Sequence, residues 1–217
     1  MILTKRFAAA ALFVLACGFA QQAAATPVPL PKSVFAGDAL IDFGAVPFGT
    51  VVNGLVTGGV TFGFTVGGSG STDATVTNTG PGVSNNINPL NIEGNATGVL
   101  SLTFPQPELR FGLGFALISP GSLTIALFDA ASTPLGSLTY PGVPDPTFPG
   151  GFAGIGNDVA FTRALVTFAP GPVRFAADNI RFSTAATVPE PGTLVLLGTG
   201  LAVVGRRIRS RRKRDIE

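Results

Sequence analysis

Large apolar residues recur at every second position through the middle of this chain, and Gly or Pro closes most of the runs. Val60, Phe62, Phe64 and Val66 sit two apart; so do Leu100, Leu102 and Phe104, then Phe111, Leu113, Phe115 and Leu117, then Leu123, Ile125 and Leu127. A period of two puts alternate side chains on one side of an extended strand, so each run has one face to bury. The same reading predicts strands over residues 39–46, 135–140, 164–169 and 179–183. Many short strands separated by Gly/Pro turns fold as an antiparallel β-sandwich. No capped amphipathic helix pattern occurs between residues 26 and 188. Gly67-Gly68-Ser69-Gly70 lacks the Gly-Lys-Ser/Thr ending of a phosphate-binding loop and reads as a hairpin turn. Residues 83–98, carrying Asn85, Asn86, Asn88, Asn91 and Asn95, and the proline-rich residues 141–149 read as surface loops, where function often resides.

The two ends differ in kind from this middle. Lys5 and Arg6 precede an apolar run over residues 7–20, and Ala23-Ala24-Ala25 offers small residues before Thr26. This is the pattern of a secretory signal over residues 1–25, cut between Ala25 and Thr26 with Ala23 and Ala25 at the small-residue positions. Val14-Leu15-Ala16-Cys17 leaves open lipid attachment at Cys17, although Leu15 suits that pattern poorly.

The last thirty residues have three parts in fixed order. Val188-Pro189-Glu190-Pro191-Gly192 forms a stiff elbow, because proline fixes φ and lacks an N–H. Residues 193–205 are uncharged and rich in Leu, Val and Gly. Arg206, Arg207, Arg209, Arg211, Arg212, Lys213 and Arg214 then crowd together. A helix over 193–205 would reach only about 20 Å against a hydrocarbon core of ~30 Å. Even so, the basic block predicts a transmembrane helix with a cytoplasmic tail over 206–217, since Lys and Arg stay inside and long Arg stems extend a short span. The chain therefore divides into a signal (1–25), a β-domain (26–187) and a C-terminal signal (188–217).

Charge and missing residue types exclude several functions. Residues 26–187 hold five bases against nine acids, a net of −4, so the positive balance of the whole chain belongs to its ends. Nucleic acid is thus a poor partner for the domain. The chain has no His, and its one Cys lies in the amino-terminal signal. Ser-His-Asp and Cys-His nucleophiles, Cys/His zinc sites and a disulfide within the domain are all excluded. Two acids could in principle hydrolyse a glycoside, with Asp42 and Asp178 or Glu93 and Glu108 as pairs, but no spacing singles out a pair.

The C-terminal block closely resembles the PEP-CTERM sorting signal of Gram-negative bacteria. The resemblance implies export by the general secretion machinery and a transient stay at the inner membrane. An exosortase-type membrane protease would then cut near the Pro-Glu-Pro and deliver the domain to the cell surface or outside. Ile41-Asp42-Phe43, Pro47-Phe48-Gly49-Thr50, Gly59-Val60-Thr61-Phe62 and Ala177-Asp178-Asn179-Ile180-Arg181-Phe182 look like blocks of PEP-CTERM ectodomains, which resemble jelly-roll sandwiches. That likeness admits one cofactor, a structural Ca²⁺ held by Asp42, Asp178 and Asn179, although Gly44 stands where the pattern has Glu. The alternative is that Asp178 caps locally or pairs with Arg181 or a strand-end N–H. The expected function is a non-enzymatic surface or matrix protein. The alternative is a carbohydrate-binding module for exopolysaccharide, for which the chain offers no Trp, one Tyr (Tyr140) and, as the best exposed ring, Phe148.

Overall fold

The computed structural model describes residues 26–78, 85–145, 147–169 and 173–184. The chain divides into two units, Met1–Ser183 and Thr184–Glu217, and the strands belong to the first, the final residue of the last strand apart. In chain order they are β1 (Val28–Pro29), β2 (Ala39–Ile41), β3 (Val56–Thr57), β4 (Val60–Val66), β5 (Ser69–Gly70), β6 (Thr75–Thr77), β7 (Asn91–Asn95), β8 (Gly98–Leu117), β9 (Ser122–Phe128), β10 (Pro134–Pro141), β11 (Val143–Pro144), β12 (Pro149–Ala169) and β13 (Arg174–Thr184). One 3₁₀ turn, Lys32–Phe35, is the helical element among the described residues. The domain is all-β and antiparallel, a jelly-roll-like sandwich.

Two long strands belong to both layers. In the first layer, residues 163–169 of β12 pair β9, which pairs β10, and residues 163–166 also pair residues 100–103 of β8. On its other side this part of β8 pairs β4. In the second layer, residues 150–156 of β12 pair residues 110–116 of β8, which is followed by β13, β7 and β6. β1 and β11 join β12 there, and β2 joins β13. Between the layers both long strands lose register, from Gly156 to Phe161 and again to Arg163. Bulges of this kind let a strand turn a corner and change sheets. On β8 the corner is Pro105-Gln106-Pro107, where two missing N–H groups end the ladder.

The core lies between the layers. Phe62, Phe64, Leu100, Leu102, Leu123, Ile125, Leu127 and Val166 enter it from the first layer; Phe111, Leu113, Phe115, Ala153, Ile155, Phe175 and Ile180 enter from the second. Phe104, at the corner, stands 5.6 Å from Phe111, 5.6 Å from Phe161 and 5.4 Å from Phe182, ring centre to ring centre. Every residue from Phe111 to Leu117 is buried, not every second one. The outer face of that strand is covered as well: Ile87, Ala116 and Ala176 form a second small cluster with Phe148 against it.

Several expectations need correction. The strand expected over 39–46 ends at Ile41, because Phe43 takes φ 55° and Val46 N–H donates back to Phe43 O at 2.9 Å, closing a turn. Residues 83–98 are not all loop, since β7 lies among them. Residues 100–104 and 111–117 are parts of one bent strand. The Gly67-Gly68 hairpin forms as expected, joining β4 to β5 with φ of 59° and 81°. The transmembrane helix is also corrected: among the described residues no helix is long and apolar enough to cross a membrane. The segment meant, 193–205, lies outside the described residues, and at ~1.5 Å per residue its length falls short of ~30 Å of hydrocarbon.

Candidate functional site

The sorting motif Val188–Gly192, the basic residues 206–214 and the small residues Ala23 and Ala25 lie outside the described residues. Thr26, the expected first residue after cleavage, is exposed and precedes β1. The remaining candidates lie on the second layer.

Asp178 and Asn179 sit where β13 changes partners. Residues 174–177 pair β7 and residues 180–182 pair β2, so the two polar residues fall in the gap, with Asn179 at φ 50°. The asparagine-rich loop after residue 84 fills that gap. Asn88 N–H donates to Asp178 Oδ2 at 2.8 Å, and the Asn179 amide donates to the same oxygen at 3.1 Å and to Asn86 O at 2.9 Å. Asn88 Nδ2 donates to Asn179 Oδ1 at 3.3 Å. The loop is pinned on its outer side too, by Lys32 Nζ donating to Asn86 Oδ1 at 2.9 Å and by the amides of Asn85 and Asn86 donating to Asp145 at 2.6 and 2.8 Å. Gly114 of β8 makes room for this loop; a Cβ there would collide with Asn86 O.

Asp178 is fully buried, and its Oδ1 meets no donor among the described residues. Burial pushes its pKa up to about 6, helped by the charge of Asp42 and opposed by the N–H groups of Asn88 and Asn179 and by Lys32. Asp42 itself is exposed, and its Oδ1 accepts Gly44 N–H at 3.1 Å in a local turn. The three residues nominated for calcium are therefore neighbours. Asp178 Oδ2, Asn179 Oδ1 and Asp42 Oδ1 are taken up by Asn88, Asn179 and Gly44 donors, and Asp178 Oδ1 is the buried acceptor left among them. A hard cation takes six to eight oxygens. Among the described residues no group of three or more His, Cys, Asp or Glu side chains comes together. Arg181 does not pair with Asp178; its Nη1 donates to Phe35 O at 3.2 Å.

The second nominated acid pair is split. Glu93 faces outward from β7 and accepts Arg174 Nε at 2.6 Å, which raises the Arg174 pKa above its ordinary value. Glu108 lies at the β8 corner, wholly buried, with neither oxygen meeting a donor among the described residues. Burial, then the charge of Asp38, pushes its pKa up to about 7. Asp38 is held in turn by a two-pronged contact from Arg110, Nε and Nη2 each donating at 2.6 Å. Nothing in the period-two pattern marks Glu108 as buried. The signal available was the odd spacing from Phe104 to Phe111, which demands a change of face between them.

Most phenylalanines are core residues, as strand spacing implies. Phe148 is half-buried against Ile87, Ala116 and Ala176. The most exposed ring among the described residues is Phe48, at 71 %.

Comparison with known proteins places one segment firmly. Residues 187–212 match the PEP-CTERM protein-sorting motif. No curated protein matches the sequence. Among solved structures, the enzymatically active domain of bacteriophage CBA120 tailspike protein 4 is similar at 16 % identity, over 62 % of this chain and 22 % of that one, with a TM-score of 0.36. The chain thus spans about a fifth of that structure's length. TmCBM61 in complex with β-1,4-galactotriose is similar at 9 % identity over 57 % of this chain and 88 % of that one, TM-score 0.39. The CBM22-1–GH10 modules of Clostridium thermocellum xylanase 10B, complexed with xylohexaose, are similar at 10 % identity over 58 % and 26 %, TM-score 0.36. Scores of this size assign no activity. The motif implies export and a cell-surface destination through an exosortase-type membrane enzyme.

Proposed function

We propose that this chain is an exported, non-enzymatic surface or matrix protein whose β-domain is delivered by processing at the PEP-CTERM signal. The observation that carries the reading is the match over residues 187–212, joined to a separate β-unit that ends at β13. Two things support a non-catalytic domain. The sequence lacks His and has no Cys beyond Cys17. The acids nominated as pairs serve the fold: Asp178 holds a loop, Glu93 is bound to Arg174, and Glu108 is sealed in the core. A domain of this kind contributes bulk and adhesion through its surface.

The test replaces Pro189, Glu190 and Pro191 with Ala and follows the chain by fractionation. The substituted chain is expected to remain unprocessed with the cells. Release at the normal size and rate would show that the motif is only a spacer.

A further inference from the structure

The second layer carries a slot on its outer face. Its floor is Ala116 of β8 and Ala176 of β13, which leave a depression between taller neighbours. One wall is Phe148, from the turn between β11 and β12, with Ile118 at the end of β8, 53 % exposed, beside the opening. The other wall is Glu93 of β7 and Arg174 of β13, locked together through Arg174 Nε. The volume is ≈ 220 Å³, below the ~300–1,000 Å³ of sites that engulf drug-sized ligands, so it holds a ring and not an extended molecule.

Chemistry narrows the occupant. Phe148 and the alanines offer an apolar face, and the ion pair offers a carboxylate acceptor and guanidinium donors opposite. Asp73 lies on the far side of Arg174, its Oδ1 3.4 Å from Nη1, so two carboxylates surround one cation. A net negative surround disfavours an anion and gives a free cation no bare carboxylate. A pyranose ring combines an apolar face with neutral hydroxyls that both donate and accept, which suits an aromatic wall facing an ion pair. The site is also rigid: its floor and polar wall stand on paired strands, Ala176 lying opposite Glu93 in the β13–β7 ladder. The turn bearing Phe148 is closed by Asp145 N–H donating to Phe148 O at 3.0 Å, and Asp145 is held by Asn85 and Asn86.

We propose that this slot binds one ring of a neutral polysaccharide, so that the delivered domain holds glycan at the cell surface. The inference rests on the reading of the chain as an exported, non-catalytic protein, yet its test is independent of sorting. The chain contains no Trp, so Phe148→Trp places a single indole in the wall. The full chain carrying this substitution, purified in a zwitterionic, sugar-free detergent, is titrated with cellohexaose, maltohexaose, xylohexaose and galactohexaose, and with hexagalacturonate as an acidic probe. At least one neutral hexasaccharide is expected to shift the indole emission with saturation in the millimolar range or below, and hexagalacturonate to bind at least tenfold more weakly. Calorimetry on the unsubstituted chain should give the same preference, and Phe148→Ala should weaken the neutral sugar about tenfold in a domain that stays folded by circular dichroism, its melting temperature lowered by the lost packing on Ile87, Ala116 and Ala176. Glu93→Gln, which keeps an acceptor for Arg174, should weaken binding less than Glu93→Ala. Saturable binding to none of the neutral probes, equal binding of the acidic one, or full binding by Phe148→Ala would each overturn the proposal. Failure of the sorting reading would appear in fractionation alone and leave these titrations unaltered.

Discussion

Glu108 should make the β-domain less stable in base than in mild acid, and Glu108→Gln should remove that penalty. The carboxyl is fully buried and its pKa moves from 4.5 to about 7. A carboxyl whose folded pKa lies above the unfolded value holds its proton more tightly when folded. Its contribution is complete below pH 4.5 and is lost as pH rises through about 7. At ~1.4 kcal/mol per pKa unit, the loss is at most about 3.5 kcal/mol. Asp178 acts in the same sense over a lower window, from 3.8 to about 6. Urea unfolding followed by far-UV circular dichroism, at intervals from pH 5 to 8.5, measures the effect. The unsubstituted chain should lose stability from pH 5 to about 7.5 and level off above that. Glu108→Gln, neutral throughout and close in shape, should be nearly flat above pH 6.5 and more stable than the parent at pH 8. Parallel curves for the two proteins over pH 6–8 would refute the assignment of a sealed, proton-binding carboxyl at the corner.

Other substitutions probe the packing. Phe104→Ala removes the ring shared by Phe111, Phe161 and Phe182 and should cost about 3–5 kcal/mol in the same unfolding assay. Gly114→Ala drives a methyl into Asn86 O and should cost about 1–3 kcal/mol, with faster amide exchange at Asn88, whose N–H depends on the loop staying seated. Adding about 1 mM EDTA should leave the melting temperature unchanged, because hydrogen bonds to Asn88 N–H and Asn86 O already seat Asp178 and Asn179 against the loop; a fall on chelation that calcium restores would show a bound ion.

Alternation was legible wherever one face of a strand meets solvent. Val60 to Phe64 and Leu123 to Leu127 alternate in burial as they alternate in sequence. Over Phe111–Leu117 it gave the strand but not the burial of both faces, and it gave nothing where the residues are small. Residues 150–156 pair along their length with β8, but Gly150, Gly151, Gly154 and Gly156 give no period to read. Their lack of side chains reflects close approach: a Cβ at Gly150 would strike Phe115 O, and one at Gly154 would strike Leu30 O. The importance of Asp178 and Asn179 was visible as a sequence block. Their burial was not, because the loop that covers them comes from about ninety residues away. The slot was illegible for the same reason, since Glu93, Ala116, Phe148 and Arg174 meet only through strand order. Phe148 was singled out by its proline-rich surroundings, yet the more exposed ring is Phe48, whose block Pro47-Phe48-Gly49-Thr50 was noticed as a resemblance and carries no sign of its exposure.

The most direct test of the account is the mass of the mature protein, measured from the surface and medium of cells with and without an exosortase-type enzyme. With the enzyme, the chain should end within or beside Val188–Gly192 and lack Arg206–Arg214. Without it, the chain should keep its full C-terminus and stay with the cells. The same truncated mass in both hosts, or an intact C-terminus on released protein, would contradict the reading of residues 187–212 as a processing signal.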